Sequence, residues 1–143
     1  MAKLVREVMT REVEVIRPTD TVREAAWRMK NLDVGPIPVC DGERLQGMLT
    51  DRDIVVRAIA EGMDPARTTV ADIMSQGISY CFDDEETEGV LERMESEQLR
   101  RFVVVDRNKK LVGIVTLGDL AGEESTHRVG KTLEGISSPA SQS

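Results

Sequence analysis

The chain repeats itself. Displaced by 65 residues, Met9 falls on Met74, Met29 on Met94, Val39 on Val104 and Asp41 on Asp106. Past one inserted residue the displacement becomes 66, and Leu45 falls on Leu111, Gly47 on Gly113, Thr50 on Thr116 and Asp53 on Asp119. Similar chemistry recurs between the identities: Leu49 with Val115, Ile54 with Leu120, Ala26 with Leu91. One insertion in a turn is the change a duplicated unit absorbs most easily. A repeat constrains a fold strongly, because both copies must form the same unit. A unit of about 55 residues buries too little core alone, so two copies packed sheet to sheet are expected.

Each copy reads strand, helix, strand, strand, helix. First strands are expected over 13–17 and 78–82, each followed by a turn rich in Pro, Asp and Thr or in acidic residues. Apolar residues at Val22, Ala25, Ala26 and Met29 follow helical spacing, as do Val90, Leu91 and Met94. Thr21 with Glu24 is a capping-box pair. Second strands are expected over 37–40 and 102–105, tight turns over 41–44 and 106–110, and third strands over 45–49 and 111–115. A last helix begins at Thr50 or Thr116. The first is long and apolar, with Ile54, Val55, Ala58 and Ile59; the second is stopped by Gly122. Gly62 and Pro65 end the first copy. The expected fold class is α/β, with domains over 4–62 and 70–125, a linker over 63–69, and a partly disordered tail over 126–143.

Composition narrows the function. Net charge is −7, from 19 Lys and Arg against 26 Asp and Glu, and no basic run stands out, which argues against a nucleic-acid partner. No stretch approaches a membrane span, and the first ten residues lack a signal-peptide core, so a cytoplasmic protein is expected. Aromatics are only 3% of the chain, so Val, Ile, Leu, Met and Ala must build the core. Cys40 and Cys81 lie in apolar strand-like runs and read as buried free thiols, not as a disulfide or a metal site. His127, the single histidine, reads as a surface residue. No nucleophile–base pair, Walker loop or metal-ligand cluster is present, so neither catalysis nor a metal is expected. Asp51, Asp53 and the run Asp83, Asp84, Glu85, Glu86 read as solvated acidic loops.

The chemistry concentrates at Gly-x-x-Thr-x-x-Asp, which closes the third strand of both copies: Gly47, Thr50, Asp53 and Gly113, Thr116, Asp119. Thr-x-x-Asp at a helix start is a capping box. It is also an anion site with a carboxylate one turn in, which suits a nucleoside phosphate. Thr69 and Asp72 share the spacing without the glycine strand. Capping and binding are compatible.

The duplicated unit, the runs Ile37-Pro38-Val39 and Phe102-Val103-Val104-Val105-Asp106, and the two Gly-x-x-Thr-x-x-Asp endings resemble the cystathionine β-synthase (CBS) domain pair, over about residues 4 to 125. That pair also occurs in IMP dehydrogenase and in the γ subunit of AMP-activated protein kinase. The stretch from Thr50 to Pro65 resembles bacterial stand-alone CBS pairs, including the hypoxic-response type. The resemblance implies two β-α-β-β-α units about a pseudo-two-fold axis. It implies a non-catalytic sensor that binds AMP, ADP, ATP, NAD or S-adenosylmethionine between the units, forms a homodimer through exposed helices and reports to an effector protein. A ligand-free interaction scaffold is the alternative. By position, Thr50 with Asp53 and Thr116 with Asp119 hold ribose and phosphate, while Ile16, Pro38, Cys81 and Val103 flank the base or simply pack the core. Arg100 and Arg101 are implied phosphate ligands for the Asp53 site, with Arg52 adding charge there. The first copy departs from that pattern, having Gly35 and Pro36 in their place.

Overall fold

The computed structural model describes residues 3–121. The expected tail over 126–143, His127 and the Gly122 helix stop lie outside the described residues. Along the chain run α1 (Val5–Val8), α2 (Val22–Leu32), β1 (Ile37–Asp41), β2 (Arg44–Leu49), α3 (Asp51–Asp53), a π-helix (Ile54–Ile59), α4 (Val70–Ile73), β3 (Tyr80–Phe82), α5 (Thr87–Glu97), β4 (Arg101–Val105), β5 (Leu111–Thr116) and α6 (Leu117–Ala121). They form two compact units. One is continuous, Glu14–Ile78; the other is discontinuous, joining the described residues up to Val13 to those from Ser79.

Each unit centres on an antiparallel hairpin, β1 with β2 and β4 with β5, and both hairpins slip register at equivalent places, Val39/Cys40 and Val104/Val105. In the discontinuous unit β3 adds in parallel to β4. The corresponding strand expected over 13–17 shrinks to one parallel bridge between Ile16 and Val39. Proline explains the loss. Asp83 donates its N–H to Val105 O at 3.0 Å and so extends the ladder. Its counterpart is Pro18, which has no N–H to give. Only Ile16 N–H to Pro38 O (3.0 Å) and Cys40 N–H to Ile16 O (2.9 Å) remain.

The helices α2 and α5 cover the hairpins as their spacing predicts. Val22, Ala25 and Met29 join Ile37, Val39 and Leu49 in one core; Val90, Leu91 and Met94 join Phe102, Val104 and Val115 in the other. Ala26, expected inside, is exposed, although its counterpart Leu91 is fully buried. Thr21 Oγ1 caps Glu24 N–H at 3.1 Å, but the Glu24 carboxylate takes the Thr21 hydroxyl instead of its backbone N–H, so half of the expected box forms. Both helices end on a non-glycine residue in the left-handed region, Asp33 (φ 54°) and Gln98 (φ 55°), again at equivalent positions.

The short helices α1 and α4 show how the repeat is laid out in space. Val5 and Arg6 donate to Glu85 O (2.9 Å) and Asp83 O (3.0 Å), while Val70 and Ala71 donate to Asp20 O (2.8 Å) and Pro18 O (3.0 Å). The residues just beyond them zip onto the last hairpin strands. Thr10 exchanges two hydrogen bonds with Ile114 (2.8 and 2.9 Å), and Ser75 exchanges two with Met48 (both 2.9 Å). The leading segment of each sequence copy therefore completes the core of the other copy, and repeats and packing units partition the chain differently.

Candidate functional site

Both Gly-x-x-Thr-x-x-Asp endings form complete reciprocal boxes. Asp53 N–H donates to Thr50 Oγ1 at 3.1 Å and Thr50 N–H donates to Asp53 Oδ2 at 3.0 Å. In the second copy Asp119 N–H reaches Thr116 Oγ1 at 3.1 Å and Thr116 N–H reaches Asp119 Oδ2 at 2.9 Å. At Thr69 only the Asp72 carboxylate engages, through the Thr69 N–H (3.1 Å) and hydroxyl (3.0 Å). The box satisfies two helix-start donors. It also points each carboxylate by one oxygen, Oδ2, so that Oδ1 and the threonine hydroxyl proton stay available for a polar ligand.

The glycines of the motif have a separate cause. A Cβ on Gly47 would lie 2.6 Å from Ser75 O, and one on Gly113 would lie 2.6 Å from Thr10 O. The leading segments cross the hairpins too closely for any side chain there. Met74 and Met9, whose sulfurs sit over the same glycines, complete the contact.

The remaining expected residues fall into two groups. In the continuous unit Ile16 donates its N–H to Pro38 O at 3.0 Å, both side chains are buried, and Ile16 belongs to the core cluster. In the discontinuous unit Cys81 belongs to the core cluster and pairs with Val104, while Val103 is buried on β4 opposite Tyr80. Pro38 and Val103 alternate with the helix-packed residues of their strands and so take the opposite sheet face. Arg52, Arg100 and Arg101 are exposed. Arg101 pairs in register with Thr116, and Arg100 O accepts Leu117 N–H at 2.7 Å, so the arginine pair borders the Thr116 box of its own unit. Gly35, the counterpart of Arg100, lies against Asp51, whose Oδ1 would be 3.2 Å from a Cβ there.

Sequence reasoning missed Arg57. Its Nε lies 3.9 Å from Asp53 Oδ1, and its Nη1 donates to Ile73 O (3.2 Å) and Met74 O (3.3 Å). The i,i+4 spacing of an acid and a base is a signal that could have found it.

The acidic loop after β3 is occupied by its own chain. Arg107 grips Asp84 in a two-point pair (2.9 and 2.7 Å), which holds that carboxyl below its ordinary range, and Glu85 accepts Phe82 N–H at 2.6 Å. Both thiols are buried and free. Burial pushes Cys40 up to about 11 and Cys81 to about 12, the latter helped by the Glu85 and Asp83 charges against the opposing Arg93. Neither is a thiolate nucleophile at neutral pH. Among the described residues no three His, Cys, Asp or Glu side chains converge as metal ligands, and no helix is long and apolar enough to cross a membrane.

Two helix-covered hairpin units with paired Thr/Asp helix starts define the class, and comparison gives its name. The CBS domain family matches residues 5–59 and 70–125, and this chain belongs to it. It is 43% identical over 136 residues to the uncharacterized protein YlbB of Bacillus subtilis, covering 93% of this chain and 90% of that one. It is 36% identical to hypoxic response protein 1 of Mycobacterium tuberculosis over 94% of each. These relatives are stand-alone CBS proteins of similar length. The crystal structure of hypoxic response protein I, which carries two coordinated zinc ions, superposes with a TM-score of 0.76 at 36% identity over 85% of this chain and 99% of that one. The protein CBSX2, solved in complex with AMP, superposes with a TM-score of 0.70 at 25% identity over 83% of this chain and 93% of that one.

Proposed function

We propose that this chain is a non-catalytic cytoplasmic sensor that binds an adenine nucleotide, AMP, ADP, ATP or NAD, reversibly, and reports occupancy to an effector protein. The observation that carries the reading is the pair of identical boxes. Each presents a carboxylate oxygen for a ribose diol beside a threonine hydroxyl, and Arg52, Arg100 and Arg101 are exposed as candidates for phosphate. The AMP held by the similar CBSX2 supports the same ligand class. A thermal-shift panel of AMP, ADP, ATP, NAD and S-adenosylmethionine tests it. A ligand at 100 times its dissociation constant adds about 2.7 kcal/mol to stability, and at least one of the five is expected to raise the melting temperature accordingly.

A specific observation favours a second reading, the ligand-free scaffold. Every part of the motif has a sufficient structural cause, the Thr/Asp pairs as boxes and the glycines as crossing points. A flat response to all five ligands decides for the scaffold.

The sensor reading includes a homodimer. The π-helix buries only Ile54 and Ala58 and leaves Val55 58%, Val56 45% and Ile59 54% exposed, with Trp27 on α2 at 66%. A helix face this apolar is expected to be covered in solution. Light scattering on the eluting protein is expected to give twice the chain mass, and a monomer at tens of micromolar rejects the pairing.

A further inference from the structure

We propose that Arg57 is the positioning residue of the Asp53 motif, holding the one uncommitted carboxylate oxygen where a ribose diol would meet it; this rests on the nucleotide reading above. Asp53 Oδ2 is committed to Thr50 N–H, which leaves Oδ1 for any ligand. Arg57 faces that oxygen from one turn further along the helix, with Nε at 3.9 Å. The carboxylate does not place the guanidinium; the end of α4 does. Nη1 donates to the carbonyls of Ile73, the last residue of that helix, and of Met74, its C-cap. The helix α4 is in turn pinned at its start by Asp20 and Pro18 and beyond its end by the Met48–Ser75 exchange. A half-exposed guanidinium, tied by two carbonyls, thus sets its charge beside a carboxylate whose side chain is only 13% exposed. The device belongs to one motif, because the residue 66 positions after Arg57 is Glu123.

Adenosine and AMP separate this role from a phosphate contact, since adenosine has the diol and no phosphate. Calorimetry is run in an Asp119→Ala background, so that the Asp53 event is read alone. Arg57→Ala is expected to weaken adenosine and AMP by the same factor, roughly two- to fivefold, the range of a partly exposed ion pair. Arg57→Lys is expected to restore part of the loss, and it serves as the measurement should Arg57→Ala fail to fold. Adding Asp53→Ala is expected to abolish the effect of Arg57. Weakening of AMP without adenosine assigns Arg57 to the phosphate and overturns the proposal. Weakening that persists without Asp53 makes the residue a mere support of α4 and overturns it equally. Unchanged affinity for both ligands rejects this role and leaves the nucleotide reading intact, whereas an unsubstituted chain that binds neither ligand rejects both.

Discussion

Gly113→Ala is expected to destabilise the chain by at least about 2 kcal/mol, and Gly47→Ala to do the same. The added methyl would sit 2.6 Å from the Thr10 carbonyl oxygen in the first case and 2.6 Å from the Ser75 carbonyl oxygen in the second. Neither neighbour is a flexible side-chain end; both are backbone, each held by a two-bond exchange with the strand the glycine belongs to. Overpacking of this kind costs about 1–3 kcal/mol, and each exchanged hydrogen bond lost adds about 1 kcal/mol. Gly89→Ala is the control. It lies in α5 with open space around it, and alanine in an exposed helix interior is expected to stabilise by about 0.5–1 kcal/mol. Denaturant titration measures all three. Hydrogen exchange locates the damage, with the Thr10 and Ile114 amides expected to lose protection in Gly113→Ala. Stability equal to that of the unsubstituted chain would show that the leading segment does not cross there.

That crossing marks the limit of what the residues reveal in order. The hairpins, both covering helices and both boxes are local, written in alternation, in i,i+3,i+4 spacing and in Thr-x-x-Asp, and they form where the pattern puts them. Pro18 is equally legible, and the shortening of the first strand follows from its missing donor. The partner of α1 is different. Nothing in Val5 to Thr10 says that it will lie on a strand more than a hundred residues later. The glycines consequently looked like part of a ligand motif, although their necessity comes from a distant backbone. The resemblance to the CBS pair supplied the nucleotide; the geometry supplies the oxygen that would hold it.

The two motifs are expected to bind unequally, the Asp53 motif taking a phosphorylated ligand more tightly. The boxes themselves are the same to within 0.1 Å in their hydrogen bonds, so the ribose oxygen is offered alike by both. Their surroundings differ in charge. Inside the first motif stands Arg52, exposed, where the second has Gly118; Arg100 and Arg101 stand at the start of β4, inside neither motif. In a chain of net charge −7, a phosphate gains most where local arginines offset the general field. Asp53→Ala removes a charge-assisted hydrogen bond worth about 1.5–3 kcal/mol, which is a loss of roughly ten- to a hundredfold in affinity, together with about 1 kcal/mol of stability from the cap. Calorimetry of AMP is expected to show two events. Asp53→Ala should abolish the tighter one and Asp119→Ala the weaker one, and the tighter event should fall more steeply with added salt. Arg52→Ala is expected to reduce that salt dependence without moving the melting temperature, since the side chain is exposed and alanine keeps the helix propensity of the position. Loss of the tighter event in Asp119→Ala would reverse the order. A fall in melting temperature with AMP affinity untouched in Asp53→Ala would reduce that carboxylate to a helix cap.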